Sequence, residues 1–326
     1  MKPNIFSYAK GKLTNDIVIC WMLDWANSKN KIYKSLSQDL IRSFTEKYDL
    51  NVEFINIKKQ YKNIDIVIEV NNSDVIAIEV NDPDVIIIGD EVDTLNNSNK
   101  LEKSKTIFEE LEEYKNYNKH FVYYQVGSES LYNGVEEAGY KRVTRENILN
   151  IICKYRDLRN DLLNDYIDYL ENKELVFNKY KSEENINKWD WETWKGYFNN
   201  LQIEKDIKEH CWNCISNKSG RFLVFNWGWK ELKYVKDNQE IYYKLYLQIE
   251  VDHNNDNEKV RIVFKLNCED INYRNDIKWH VYNYLKDIKN DEKCIKSKLE
   301  LDNMINSAEN TLERLVSNLQ IMEPIL

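Results

Sequence analysis

The chain has 326 residues, a formal net charge of −9 at pH 7 and 42% hydrophobic residues. This length permits a sizeable core and favours two domains, and the 13% of aromatic residues argues against a disordered chain. The acidic balance disfavours nucleic-acid binding through the surface as a whole, so such a partner would need a local basic patch.

The sequence carries no sign of a membrane or secretory segment. Its apolar runs are all shorter than the roughly 18 residues of a membrane-spanning helix, and its first residues lack an apolar signal core. We therefore expect no membrane partner, a cytoplasmic protein and reduced cysteines. Cys211 and Cys214 form a lone C-x-x-C motif. Because no second pair stands at metal spacing, we interpret them as ordinary thiols rather than zinc ligands.

Helix and strand patterns alternate in the first half of the chain. Apolar residues at helical spacing predict helices, and β-branched or alternating runs predict strands. In chain order we predict helices at 13–27 and 35–48, strands at 52–58, 64–68 and 74–78, a helix at 96–117, a strand at 120–126 and a helix at 144–152. This order predicts an α/β domain with a central sheet.

The most regular segment, 64–93, nearly repeats itself every ten residues. Its copies read IDIVIEVNNS, DVIAIEVNDP and DVIIIGDEVD, so each β-branched run is followed by a polar triplet. The triplets are Glu69-Val70-Asn71, Glu79-Val80-Asn81 and Gly89-Asp90-Glu91. The segment therefore predicts two or three similar strands, each with acidic residues near its end.

The pattern changes after residue 170. The polar, lysine-rich segment 178–187 is the best candidate for a linker, and we place domains at 1–170 and 188–326 with 171–187 between them. Beyond it, three strand-like runs and two helices predict a smaller α+β accessory domain. The runs lie at 220–229, 241–251 and 259–266.

The last predicted helix carries a heptad-like apolar stripe. The stripe is composed of Leu301, Ile305, Ala308, Leu312, Leu315, Leu319 and Met322. Such spacing predicts either a helix that binds a protein partner as in a coiled coil or an amphipathic helix that packs on its own domain's sheet. We favour the second interpretation.

Six short motifs are spread in order over the first half of the chain. They are Phe6-Ser7-Tyr8, the 13–26 helix with Trp21 and Trp25, Gln60-Tyr61-Lys62-Asn63-Ile64-Asp65, Asn99-x-Leu101-Glu102, Gly139-Tyr140-x-x-Val143-Thr144-Arg145 and Asp165-Tyr166-x-x-Tyr169-Leu170. Together they resemble the PD-(D/E)XK nuclease superfamily, in particular bacterial members with an accessory C-terminal half. The resemblance implies a restriction-endonuclease-like mixed sheet flanked by helices, and Mg²⁺-dependent hydrolysis of phosphodiester bonds in nucleic acid.

The resemblance also points to specific residues of a metal site. In that superfamily an Asp and a Glu hold Mg²⁺ or Mn²⁺, and a Lys two positions after the Glu lies on the same strand face. Asp65 supplies the first carboxylate. Counting forward from it puts the Glu-x-Lys motif at Glu79-Val80-Asn81, whereas counting backward from Asn99-Lys100-Leu101 puts it at Gly89-Asp90-Glu91. Both registers of the repeat 74–93 stay open, and neither contains the lysine.

Other positions of the family pattern differ as well. The first-helix Glu falls on Lys12, the Gln of the later helix on Lys100, and the Tyr that follows it on Ser104. Several departures at once favour a nuclease-like protein whose cleavage is weakened or lost. The alternative function is a non-catalytic protein-interaction or regulatory module on a nuclease-derived fold.

An active site with a relocated cation is the other interpretation of these departures. Lys12 or Lys100 would then reach the site from a neighbouring helix in place of the motif lysine. Asp65 and Glu79, together with Glu91, would bind the metal ion.

Two further features have both a functional and a structural interpretation. A locally basic stretch either contacts phosphates or is a solvated helix face, and it comprises Lys141, Arg142, Arg145, Lys154, Arg156 and Arg159. The tryptophans of the tracts 189–194 and 227–229 either stack on bases or pack in a core, and we favour packing.

Overall fold

A computed structural model describes residues 12–62, 64–71, 73–81, 95–127, 134–207, 212–217, 220–236, 239–252, 259–285 and 295–321. The chain divides into two compact units, Met1–Phe177 and Asn178–Leu326. The division falls within the predicted linker 171–187. Residues 171–177 complete a helix of the first unit, and Ile186 is buried in the core of the second.

Helices and strands alternate in the N-terminal unit as the sequence predicts. In chain order they are α1 (Lys12–Asp24), α2 (Lys31–Thr45), β1 (Ile55–Tyr61), β2 (Ile64–Val70), β3 (Asp74–Asn81), α3 (Leu95–Glu109), β4 (Asn118–Gln125), α4 (Gly134–Glu137), β5 (Lys141–Thr144), α5 (Arg145–Ile152) and α6 (Asp161–Phe177). Short 3₁₀ turns follow α1, α3 and α5.

The strands of this unit form one mixed sheet in the order β1-β2-β3-β4-β5. β1, β2 and β3 are an antiparallel meander, whereas β4 and β5 join in parallel after crossovers through α3 and α4. Helices α1, α2, α5 and α6 share one core with the sheet, and α3 and α4 share a second core on its other face. The predicted α/β class and mixed sheet are confirmed.

Burial on both faces explains the nearly continuous apolar sequence of the central strands. Along β2, Ile66 and Ile68 belong to the core beneath α1, whereas Val67 belongs to the core beneath α3. The first two copies of the ten-residue repeat form β2 and β3, which pair with each other. The third copy, 84–93, lies outside the described residues.

The bounds of α2 follow from its two ends. The sequence predicts a helix at 35–48, but the helix begins four residues earlier because the side chain of Asn30 caps it and accepts a hydrogen bond from the Ile32 amide at 3.0 Å. It ends before residue 48 because Glu46 adopts a left-handed backbone with φ of 58°.

The C-terminal unit combines a four-stranded antiparallel sheet with three α-helices among its described residues. Its elements are α7 (Trp191–Glu204), β6 (Trp212–Asn217), β7 (Gly220–Lys236), β8 (Gln239–Asp252), β9 (Lys259–Asn267), α8 (Arg274–Leu285) and α9 (Lys298–Ile321). The strands pair in the order β6-β7-β8-β9, and all three helices contribute to a single core with them. Three of these strands match the predicted runs, and β6 was not predicted.

The apolar stripe of α9 is buried within this core. Five of its members are at most 6% exposed, namely Leu301, Ile305, Leu312, Leu315 and Leu319. Met322 lies outside the described residues. The stripe therefore packs on its own unit, as we favoured, and its buried face is not a surface for a protein partner. None of the helices in the described ranges is both long and apolar enough to cross a bilayer.

The tryptophan tracts also serve mainly as core. Trp189, Trp194 and Trp227 are at most 2% exposed and belong to the core of the C-terminal unit. Trp229, two residues beyond Trp227, is 42% exposed and stacks on Tyr246 with ring centroids 3.9 Å apart. Trp191 is partly buried and packs against the same core, so packing is the role of four of the five.

Gly228 lies at an irregularity in β7, between the buried and the exposed tryptophan. The β7–β8 register shifts between Trp227 and Lys230, and Gly228 has φ of 68°. A Cβ there would lie 3.2 Å from Cδ2 of Leu312. We expect Gly228→Ala to lower the free energy of unfolding by about 1–3 kcal/mol, because a left-handed backbone strains any residue with a Cβ.

Urea denaturation of wild type and Gly228→Ala measures this effect. Comparison of the double variant Gly228→Ala/Leu312→Ala with Leu312→Ala separates its two causes, since both variants lack the contact and only the double variant has the backbone strain. An unchanged transition in the single variant would show that the bulge tolerates a Cβ.

Candidate functional site

The two carboxylate positions predicted from the sequence, Asp65 and Glu79, fall opposite each other on neighbouring strands. β2 and β3 pair as far as Ile66 and Ile78, and Asp65 and Glu79 are the next positions along each strand. Opposed positions of antiparallel strands have Cβ atoms about 4.5–5.5 Å apart. Ala77, two residues before Glu79, belongs to the core that α3 covers. Beside Asp65 the usual alternation of strand positions is interrupted, because Ile64 and Val67 both belong to this core and the opposing Gln60 has φ of 50°. This pairing corresponds to the forward count, with Glu79-Val80-Asn81 as the motif.

Polar positions on the other strands continue this pair across the sheet. The β1–β2 register puts Gln60 opposite Asp65, and the next registers pair Glu79 with Tyr123 and Tyr123 with Arg142. We call Gln60, Asp65, Glu79, Tyr123 and Arg142 the polar row. It crosses all five strands as a line of cross-strand neighbours, with two acidic positions on adjacent strands and a cationic residue at its end.

Asp65 is the best-defined acidic member of the polar row. It is 6% exposed, and a buried carboxylate is costly unless it is paired or hydrogen-bonded. Nε2 of Gln60 donates a hydrogen bond to Oδ1 of Asp65 at 3.2 Å. Gln60 and Lys62 have φ of 50° and 52°, a conformation that costs a non-glycine residue about 1–2 kcal/mol. The end of β1 thus holds an amide donor on the carboxylate despite local strain.

Arg142 is fixed by contacts with β4 and α4. Its Nη1 donates to Oε1 of Gln125 at 3.0 Å, while Nε and Nη2 donate to the two carboxylate oxygens of Glu136 at 3.0 and 3.2 Å. Such a bidentate pair fixes the plane of the guanidinium group. The Arg142 side chain is only 12% exposed. A positive charge is therefore held firmly at the end of the polar row.

Other members of the predicted basic stretch are divided among separate ion pairs. Nε of Arg145 lies 2.8 Å from a carboxylate oxygen of Glu174. Arg156 pairs with Asp168 and Glu171, each at 2.6 Å. These intramolecular pairs favour the structural interpretation of the stretch over a continuous phosphate-binding patch.

The two lysines considered as replacements for the motif lysine belong to helices on opposite faces of the sheet. α1, which begins at Lys12, packs on one face, whereas α3, which contains Lys100, packs on the face of Tyr123, a member of the polar row. The side chains of Lys12, Lys100 and Glu79 lie outside the described part of the structure, as does all of Glu91. The helix positions therefore favour Lys100 over Lys12 as a neighbour of the row.

The chemistry of the polar row suits a hard divalent cation. Mg²⁺ and Mn²⁺ prefer carboxylate and carbonyl oxygens, and Mg²⁺ is often held by one or two carboxylates with water completing its shell. Asp65 and Glu79 supply two carboxylate residues on adjacent strands. Among the described side chains, no three Asp, Glu, His or Cys residues form a cluster.

Another acidic residue of β2, Glu69, has a structural role. Nζ of Lys58 lies 2.7 Å from its Oε1, and the Tyr114 hydroxyl donates to the same oxygen at 2.7 Å. Burial alone would raise the pKa of Glu69, but the hydrogen bonds from Lys58, Asn56 and Tyr114 outweigh burial and lower the pKa. Glu69 is thus a charged, fully engaged carboxylate four residues from Asp65 on the same strand.

Two members of the polar row, Gln60 and Tyr123, were not predicted as site residues, and Arg142 was considered only as part of the basic stretch. Gln60 mirrors Asp65 across the β1–β2 turn, so a hairpin prediction for this segment would have paired the two. Tyr123 carries no local signal, and its proximity to Arg142 could not be predicted, because parallel neighbours are brought together only by the crossovers.

Comparison of the chain with protein-family models, with curated proteins and with solved structures found no match. The functional assignment of this chain therefore rests on the polar row and its neighbours.

Proposed function

We propose that the N-terminal unit is a nuclease-type unit related to the PD-(D/E)XK superfamily. In this proposal Asp65 and Glu79 bind Mg²⁺ or Mn²⁺, and the unit hydrolyses phosphodiester bonds of nucleic acid slowly. The observation that carries the proposal is the β2–β3 register, which pairs Ile66 with Ile78 and makes Asp65 and Glu79 the next positions of two neighbouring strands. A mixed sheet with helices on both faces further supports a restriction-endonuclease-like arrangement.

The residues of the polar row divide the work of such a site. A bound divalent ion would polarise the phosphodiester and lower the pKa of a water molecule. Gln60 orients the Asp65 carboxylate through its hydrogen bond. Arg142 lies two strands from Glu79, about 9–10 Å away at ordinary strand spacing, and its pair with Glu136 gives it a structural role at the edge of the site.

The rate of hydrolysis should be low because Asn81 stands where the motif lysine would be. Asn81 is two residues after Glu79 on β3 and carries no positive charge. A cation at this position would stabilise charge that develops on the phosphate. The absence of a lysine at this position also favours the alternative function, a non-catalytic interaction module on this fold. The experiment below distinguishes the nuclease from the non-catalytic module.

We expect labelled single- and double-stranded DNA and RNA to be cleaved slowly with Mg²⁺ or Mn²⁺ and not at all with a chelator. Glu79→Gln should reduce the rate by about 100-fold or more, since it removes a charged ligand of the ion. Glu69→Gln is the matched control, because Glu69 occupies the same place in the preceding copy of the repeat and is held by Lys58 and Tyr114.

Two outcomes would contradict the nuclease proposal. Cleavage that survives chelation, or equal rates for wild type and Glu79→Gln, would assign the activity to another site or to a contaminant. A complete lack of cleavage together with intact metal binding would favour the non-catalytic module.

A further inference from the structure

A second site lies in the N-terminal unit and shares no residue with the polar row. An open pocket of about 350 Å³ is found at the N-terminal ends of β4 and β5. Its charged lining residues are Glu46, Lys105, Glu109, Lys119, His120 and Lys141. α3, β4 and β5 each contribute one lysine, so the positive charges converge from three separate elements of the fold.

Two lysine side chains of this pocket are less exposed than the acidic side chains with which they pair. Lys105 and Lys141 are 28% and 30% exposed, whereas Glu109 and Glu46 are 50% and 68% exposed. Nζ of Lys141 lies 2.7 Å from Oε1 of Glu46, whereas Nζ of Lys105 lies 4.0 Å from Oε1 of Glu109. Exposed ion pairs contribute little free energy, so a ligand with two negative charges can displace both carboxylates.

Lys119 is the cation most available to a ligand. It has no ion-pair partner among the residues that the structure describes, and it stands beside His120 at the start of β4. The pocket is lined by two glutamates and three lysines, which leaves a local positive charge in a chain whose net charge is −9. Such a local excess attracts anions even in an acidic protein.

His120 is held in a fixed orientation at the pocket wall. Its Nε2 lies 3.1 Å from Oδ1 of Asp74. Asp74 is itself 3% exposed and hydrogen-bonded by Lys47 and by the Ser73 hydroxyl at 2.9 Å. The imidazole ring is therefore positioned before any ligand arrives, which reduces the entropy lost on binding.

We propose that this pocket binds a phosphate group, either as inorganic phosphate or as the terminal group of a small phosphomonoester. A phosphate monoester carries close to two negative charges at neutral pH, and lysine binds it as a point charge. A volume of about 350 Å³ lies at the small end of ligand pockets, which suits a sugar phosphate or a mononucleotide better than a larger cofactor. Binding here is independent of metal or nucleic acid at the polar row.

Titration calorimetry with inorganic phosphate, ribose 5-phosphate and AMP tests the proposal. We expect Lys119→Met to weaken binding by at least about tenfold, the loss expected for one charge-assisted contact. Lys119→Arg should restore most of the affinity because it restores the charge. Lys103→Met is the matched control, since Lys103 is an exposed lysine of α3 outside the pocket.

The three probes also distinguish the two sources of phosphate. Tighter binding of ribose 5-phosphate or AMP than of inorganic phosphate would identify a phosphomonoester as the ligand, and equal binding would identify the phosphate ion. The proposal is overturned if no probe binds the wild-type protein, or if Lys119→Met binds as well as wild type. It is also overturned if Lys119→Met loses affinity for an oligonucleotide while the small probes do not bind.

Discussion

Binding of Mn²⁺ is expected to disappear when Asp65 is replaced by asparagine. Asparagine keeps the size of the side chain and an oxygen that accepts from Gln60, but it removes the negative charge that a divalent cation needs. The affinity should fall by more than the roughly 10–100-fold that loss of an outer-shell partner costs. Titration calorimetry of wild type and Asp65→Asn with Mn²⁺ and Mg²⁺ measures the change.

The control for this titration is Glu69→Gln, which removes a carboxylate from the same strand. Glu69 is engaged by Lys58 and Tyr114, so its loss should leave the metal affinity unchanged. Equal affinities for wild type and Asp65→Asn would contradict the role of Asp65 as a ligand. If neither protein binds metal, the acidic pair no longer forms a metal site, and the non-catalytic module becomes the better assignment.

The largest effect on stability is expected for Trp194→Ala in the C-terminal unit. Trp194 is 1% exposed and packs against Trp189 and Phe198, with ring centroids 4.8 and 5.8 Å away. Its indole Nε1 has no hydrogen-bond partner among the described residues, so the substitution removes apolar contacts rather than a hydrogen bond. We expect a loss of about 3–5 kcal/mol, the range for a buried aromatic replaced by alanine.

Trp229→Ala serves as the comparison for this prediction. Trp229 belongs to the same unit but is 42% exposed, and its main aromatic contact is the stack on Tyr246. Its removal should cost no more than about 1.5 kcal/mol, the upper range for one aromatic pair. Urea denaturation together with hydrogen exchange across α7 and β8 measures both variants. Similar losses for the two would contradict the division between buried and exposed tryptophans.

Local sequence patterns predicted most of the N-terminal fold, but not where every element ends. The helix expected at 96–117 stops at Glu109, and a 3₁₀ turn follows it. Tyr114 is buried against Phe108, with ring centroids 5.1 Å apart, and this contact turns the chain back towards β4. Helical spacing of apolar residues indicates that a helix is present, whereas the position of its end depends on the packing of Tyr114 against Phe108.

Strand β6 shows the same limit in the C-terminal unit. Trp212–Asn217 contains few β-branched residues, and its strand character depends on pairing with β7, from Trp212 opposite Phe225 to Asn217 opposite Gly220. Pairing with a neighbour determines strand formation more than intrinsic preference does. Prediction from single segments therefore did not identify β6.

For the candidate site, the sequence indicated residue types but not their neighbours. Asp65 and Glu79 were named from their places in the repeat. Their alignment with Gln60, Tyr123 and Arg142 depends on the register of four strand pairs. A shift of one residue in any register would move a whole strand's residues to the other face, and no single segment encodes that choice.

The pairing of two repeat copies has a consequence for how the chain folds. β2 and the strand that follows it have nearly the same apolar sequence, so both copies offer β1 a similar edge during folding. The loop that closes β1 on the first copy spans only residues 62–63, whereas pairing with the second copy would enclose more than ten. Because longer loops lose more chain entropy on closure, connectivity rather than side-chain preference selects the native partner.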